Sequence, residues 1–334
     1  MAAIISVLIV IAEQLRLAAV RTAHLWLPMA IALISLKLMG RRRFRQRWGR
    51  WLRWSAIVLI CPYLLILAVL WVMQPRLLYH PSQVLQTTPA AYDIQYEDVW
   101  MPVEAAQHSE RLHGWWLPHP KNSVGTLIYL HGADLNIGFN VAQAYWLRQL
   151  GFNVLLAEYR GYGWSEGSFP SETALYEDAE AALDYLVRAQ GIQAGEIFVY
   201  GHSLGGAIAI DLATRHSDLA GIIVQNSFTS MADMVMRFDY SRWLPVRWIV
   251  HQRFESLQKV SQLQVPLLLI HATGDPLIPK TMGERLYQAA RSFKELVLVE
   301  SNVHHNADSQ YKDARYLIKI QTFALRALFN AARR

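Results

Sequence analysis

Residues 196–216 read EIFVYGHSLGGAIAIDLATRH, a β-rich apolar run that ends in Gly-x-Ser-x-Gly and passes at once into a helix-period pattern. That order constrains the fold strongly. A six-residue apolar run is short for a helix and lacks the alternation of a half-exposed strand, so EIFVYG reads as a strand buried on both faces. The turn that follows must be tight, and Gly201 and Gly205 remove the side chains that would collide with the adjoining strand and helix. Ser203 is thereby held at the mouth of a sheet, with a helix N-terminus beneath it that favours developing negative charge.

The same texture recurs along the chain. TLIYL (126–130), NVLLAEY (153–159), GIIVQN (221–226), PLLLIHA (266–272) and ELVLVE (295–300) read as further buried strands. Helix-period stretches lie among them at Ser171–Ala189, Leu204–His216 and Thr281–Ala290, and Ser309–Ala332 reads as a closing helix. Strand and helix in alternation imply an α/β fold with a mostly parallel, doubly wound sheet. YDIQYEDVWM and RLHGWWLP precede it as an antiparallel pair, whereas residues 231–260, rich in Met, Phe, Tyr and Trp, interrupt the alternation and read either as a short cap or as an ordinary pair of core helices.

Serine is a weak nucleophile until a base takes its proton, so a catalytic Ser203 requires a histidine and an acid later in the chain. LLLIHATGDPLIP supplies Asp275 in a turn directly after a strand, and ELVLVE leads into SNVHHNADS, with His304 and His305 side by side. Adjacent loop residues point in roughly opposite directions, so one site recruits one of them. Two backbone N–H donors are needed for an oxyanion; Leu204 follows the serine, and Ala133 follows His131-Gly132 at the end of an early strand.

Composition adds a membrane. Of the chain, 53% is hydrophobic and mean hydropathy is positive, which is high for a water-soluble protein. The net charge of +6 is unevenly placed: residues 1–75 hold ten Lys/Arg and one acid, leaving 22 Lys/Arg against 25 acids in residues 76–334. The larger part is thus mildly acidic, and nucleic acid is not an expected partner. Ser55–Met73 runs 19 residues without a charge, long enough at about 1.5 Å per residue to cross a hydrocarbon core. Residues 24–40 form a second apolar run, readable as a further span or as an interfacial helix. Seven arginines in residues 41–54 mark a cytoplasmic loop before the span, so everything after Met73 is expected on the other face of a cell membrane, the inner membrane in a bacterium. Cys61 is the only cysteine and lies inside the apolar run, which excludes an intramolecular disulfide.

His131-Gly132 with Asn136-Ile137-Gly138, YRGYGWSEG (159–167), GHSLGGA (201–207), NSFTS (226–230), and the late Gly274-Asp275 and His305-Asn306 together resemble the α/β-hydrolase superfamily. The likeness is narrower still to its membrane-anchored Bem46-like serine hydrolases, over about residues 76–330. The resemblance implies Ser203 as nucleophile, Asp275 as the acid that orients the base, and His305 as the base. The glycine that usually precedes the family's histidine is replaced here by His304. The expectation is an N-terminal membrane region (1–75) and a hydrolase domain (76–334) cleaving carboxylic esters or thioesters, small or lipid-derived, without cofactor or metal. A peptidase or amidase on the same triad, and a catalytically silent binding protein on this fold, are the alternatives. Oligomeric state is not legible.

Overall fold

A computed structural model describes residues 41–104, 109–304 and 314–331. The apolar runs become one eight-stranded sheet. In chain order its strands are β1 (Glu97–Glu104), β2 (Ser109–Leu117), β3 (Gly125–Leu130), β4 (Phe152–Ala157), β5 (Ile197–His202), β6 (Gly221–Gln225), β7 (Leu267–Ala272) and β8 (Lys294–Val299). Across the sheet they lie in the order β8-β7-β6-β5-β3-β4-β2-β1. The six strands from β3 to β8 pair in parallel, while β2 runs antiparallel to β4 and β1 antiparallel to β2.

Each inner strand buries both faces, as a continuous apolar run demands. Ile128 and Leu130 of β3, Val199 of β5, Ile222 and Val224 of β6 and Leu267 and Leu269 of β7 join one core. Their neighbours Leu127, Tyr129, Phe198, Tyr200, Ile223, Leu268 and Ile270 join the other. The first core is closed by α3 (Glu172–Asp184), α4 (Leu204–Arg215), α7 (Ser256–Val260) and α8 (Lys280–Ala289), through residues such as Leu175, Ile208, Val260 and Leu286. The second is closed by α2 (Val141–Gln149) and α9 (Ala314–Ala331). On α9 the buried residues Tyr316, Ile320, Phe323, Ala324 and Ala327 recur at helical spacing along one stripe.

Helix α2 is an element that the sequence reading does not assign; its stripe is only three residues, Val141, Ala144 and Leu147. The expected antiparallel pair is β1 and β2. Residues 309–313 of the expected closing helix, and the apolar run 24–40, lie outside the described residues.

By internal contacts the chain forms two units. One runs up to Leu77 and includes Phe238–His251; the other comprises Leu78–Arg237 and the chain from Gln252. The first is built on α1 (Arg41–Leu78), within which Ile57–Leu78 is long and apolar enough to cross a membrane. Residues 41–54 are the first turns of this helix, not a loop, because arginine and tryptophan carry on a helix that no proline interrupts before Pro62. The expected cap divides between the units: α5 (Met231–Met236) and α7 belong to the sheet-bearing one, while a 3₁₀ turn at Asp239–Trp243 and α6 (Val246–Ile249) belong with α1.

The role of α9 can be tested through Phe323, which is fully buried between the rings of Phe198 and Phe293 at 6.5 and 6.4 Å. Phe323→Ala should cost about 3–5 kcal/mol in urea unfolding. Leu325→Ala, at a site 52% exposed on the same helix, should stay within about 0.5 kcal/mol. Equal losses would show that α9 does not close the core as described.

Candidate active site

Strand β5 turns into α4 at Ser203, whose φ of 54° and ψ of −115° no ordinary strand or helix residue adopts. The turn is tight because the chain folds back onto itself. A Cβ at Gly201 would collide with the carbonyl of Gly205, and one at Gly205 would collide with the carbonyl of Leu130 at the end of β3. The strain is held by the surroundings: Ser203 N–H donates to Gln225 O at 2.9 Å, and Ser227 Oγ donates to Ser203 O at 2.8 Å. The side chain is left pointing out of the turn.

The Ser203 hydroxyl lies 2.9 Å from His304 Nε2, and His304 Nδ1 lies 2.7 Å from Asp275 Oδ2. Asp275 and His304 are buried. The other carboxylate oxygen of Asp275 accepts the N–H groups of Leu277 and Ile278 at 2.8 and 2.9 Å. Burial alone would raise this carboxyl, but the hydrogen bond and charge of His304, with the two backbone donors, outweigh it and hold the group below its ordinary value. The sign follows: a depressed carboxyl contributes stability above its unfolded pKa, and that contribution is lost as pH falls through the folded value. An ionised Asp275 keeps the proton of His304 on Nδ1, which leaves Nε2 free to accept from Ser203.

The histidine found at this position is the neighbour of the one expected. His305 lies outside the described residues, and the imidazole seated between Asp275 and Ser203 is that of His304. The cause is where the loop after β8 is tied down. Thr273 N–H donates to Val299 O, and Gly274 N–H to Ser301 O, at 2.8 and 2.9 Å; the Asn302 amide rests against Gly274. The carbonyl of His304 is then caught by His202 Nε2 at 3.0 Å and by Asn226 Nδ2 at 2.9 Å. Asn226 is itself fixed, since its Oδ1 accepts Ala272 N–H at 2.9 Å.

The expected oxyanion donors meet at the same point. In the β3–β5 pairing Leu130 stands opposite Gly201, so the loops after the two strands emerge side by side. A Cβ on Gly132 would lie 3.5 Å from that of Ser203. Among the described residues, neither the Leu204 nor the Ala133 N–H has an acceptor. The peptide that carries the Ala133 N–H is oriented from below: His131 Nδ1 donates to Gly132 O at 2.8 Å. On the far side of the ring, His131 Nε2 meets Glu158 Oε1 at 2.7 Å, and both side chains are fully buried. The next carbonyl, Ala133 O, accepts from Tyr162 OH at 2.7 Å and His80 N–H at 3.0 Å.

Glu158, Tyr162, His202 and Asn226 are supporting residues to which the sequence reading assigns no role. Glu158 carried a signal, being an acid at the end of an otherwise apolar strand run, NVLLAEY. Tyr162, His202 and Asn226 lie within YRGYGWSEG, GHSLGGA and NSFTS, stretches that carry the resemblance, but what each one holds shows only when the loops are brought together.

The family described as "Serine aminopeptidase, S33" matches residues 121–259. An uncharacterised protein of Mycobacterium tuberculosis is 32% identical over 261 residues, spanning 76% of this chain and 87% of that protein. Protein bem46 of Schizosaccharomyces pombe is 29% identical over 261 residues, covering 73% and 84% of the two chains. Among solved structures, an esterase of Pyrococcus furiosus superposes with a TM-score of 0.60 at 19% identity, over 75% of this chain and 99% of that one. Sheet order, the tight turn at Ser203 and sequence kinship agree, and the chain belongs to the α/β-hydrolase superfamily as a Bem46-like hydrolase.

Proposed function

We propose that this chain is a membrane-anchored serine hydrolase that cleaves carboxylic esters or thioesters through Ser203, His304 and Asp275. The observation that carries the reading is the unbroken hydrogen-bonded line from Asp275 through His304 to a serine held at positive φ. In the first step Ser203 Oγ attacks the acyl carbonyl while its proton passes to His304 Nε2; the imidazolium so formed is stabilised by Asp275. The oxygen of the tetrahedral intermediate takes its two hydrogen bonds from Leu204 and Ala133 N–H. His304 then gives the proton to the leaving alcohol or thiol, and water repeats the sequence in reverse to release the acid from Ser203.

The apolar stretch of α1 supports anchoring, and the arginines before it support a cytoplasmic N-terminal side with the catalytic part on the opposite face. A membrane-borne or small acyl ester is the substrate class that suits such a placement. A second reading, hydrolysis of peptides or amides by the same three residues, is favoured by the family description "Serine aminopeptidase".

A fluorophosphonate probe should label the purified chain and fail to label Ser203→Ala. Ser203→Ala and His304→Ala should each lower kcat on nitrophenyl esters by about 10⁴-fold or more, whereas His305→Ala should leave it within a few-fold. Loss of activity in His305→Ala with retention in His304→Ala would reverse the register given above. Faster turnover of aminoacyl amides than of any ester would favour the second reading.

Glu158→Gln removes the charge that faces His131 but keeps the shape. It should lower kcat by about 10-fold with KM little changed, because a displaced oxyanion donor weakens the transition state more than the ground state. An equal change in kcat and in thermal stability for Glu158→Gln and Glu158→Ala would mark the pair as structural only.

A further inference from the structure

One stretch takes no part in this chemistry. Phe238–His251 leaves the strand–helix alternation and forms a unit with α1. Its contacts with that helix are of a particular kind. Tyr63 OH donates to Trp243 O at 3.0 Å; Gln74 Nε2 donates to Ile249 O at 3.1 Å; and Gln74 Oε1 accepts His251 N–H at 2.8 Å. The rings of Trp71 and His251 lie 4.7 Å apart. The stretch thus runs beside α1 from the level of Tyr63 to that of Gln74, 11 residues, or about 16 Å of helix.

Tyr63 and Gln74 are the polar groups of an otherwise apolar surface, and irregular backbone is the other polar element here. In hydrocarbon each would be costly alone, since no water is present to satisfy it. Bonded to one another, they satisfy the requirement that admits non-helical chain to membrane depth. Two large apolar side chains stand out from the stretch: Trp243 and Trp248 are 74% and 89% exposed, and tryptophan is the residue that gathers at membrane interfaces. Its charges suit the same surroundings. Arg242 is paired with Asp239 at 2.5 Å, and Arg247 is exposed, with a stem long enough to carry its guanidinium to the headgroup phosphates.

We infer that Phe238–His251 is a second membrane-seated element, clasped to α1 and embedding Trp243 and Trp248 in the lipid of the leaflet that the C-terminal half of α1 crosses. The inference rests on the reading of α1 as a membrane span. Its occupant is the bilayer: the apolar face is continuous with the lipid-facing surface of α1, and both are unburied. The excursion starts and returns within a well-tied part of the sheet-bearing unit, where Met231 N–H donates to Arg253 O at 2.9 Å and Gln252 Oε1 accepts from Tyr79 OH and Glu172 N–H at 2.7 Å each.

The full chain, with Cys61→Ala, can carry a nitroxide at one of three single cysteines, Trp248→Cys, Leu65→Cys or Gln193→Cys, in phosphatidylethanolamine–phosphatidylglycerol vesicles. Leu65 is an exposed residue of the apolar helix, and Gln193 is an exposed loop residue of the sheet-bearing unit. Power saturation with oxygen and with a neutral nickel chelate should class position 248 with position 65, oxygen being favoured several-fold more than at 193. If 65 is lipid-exposed while 248 matches 193, the second element is wrong and the anchor stands. If 65 and 248 both match 193, the anchor fails and this inference fails with it. Protection of 248 from both reagents would replace the bilayer with a protein partner and would also overturn it.

Discussion

The carbonyl of Leu130 lies where any side chain at position 205 would have to go, and that close approach organises the rest of the catalytic unit. It sets β3 and β5 side by side with Leu130 opposite Gly201, so that the turn at Ser203 and the loop at Gly132 emerge together. Both lie at the carboxyl ends of parallel strands, beside the crossover from β3 to β4, where an open α/β sheet leaves a crevice. Ser203 accepts an unfavourable backbone conformation because β5, α4 and the Gln225 carbonyl together leave it no other. Strain of this sort is local, and its cost is met by the two apolar cores above and below the sheet.

Around this point the molecule spends buried polar groups freely, and nearly all of them bear on loop position. Glu158 accepts from Ile137 N–H at 3.0 Å as well as meeting His131, which ties the loop at Gly132 to the end of β4. Asn226, at a φ of 47°, links β7 to the histidine loop through Ala272 and His304. Hydrogen bonds like these are individually worth about 1 kcal/mol, but leaving one partner buried and unmatched costs more. Removing one therefore unsettles its neighbour as well, which is how residues remote from the substrate come to control the geometry of the Ser203–His304–Asp275 line.

The identity of the histidine shows how far a motif reaches. Matching His305-Asn306 to the family's pair points to His305, whereas the imidazole found between Asp275 and Ser203 is that of His304. Two adjacent imidazoles differ by one residue of loop, and the choice is made by ties at Ser301 and at the His304 carbonyl to residues 27 to 102 positions distant. Pairings over such separations have no periodicity to read.

Periodicity and local sterics were sufficient for much else. The continuous apolar runs specified six parallel strands, of which five are buried as expected while β8, read as buried, lies half-exposed at the sheet edge; Gly201 and Gly205 specified the tight turn at Ser203, and the position of Asp275 after a late strand marked it as an acid of interest. An uncharged run of 19 residues marked α1 in the same way. These features depend on neighbours along the chain, so composition and spacing carry them. Tertiary structure decided which histidine faces Ser203, which buried acid braces the loop at Gly132, and that Phe238–His251 pairs with α1 instead of staying with the rest of the expected cap. Each of those outcomes turns on a donor finding an acceptor far away in sequence, and only the folded chain brings the two within 3 Å or so.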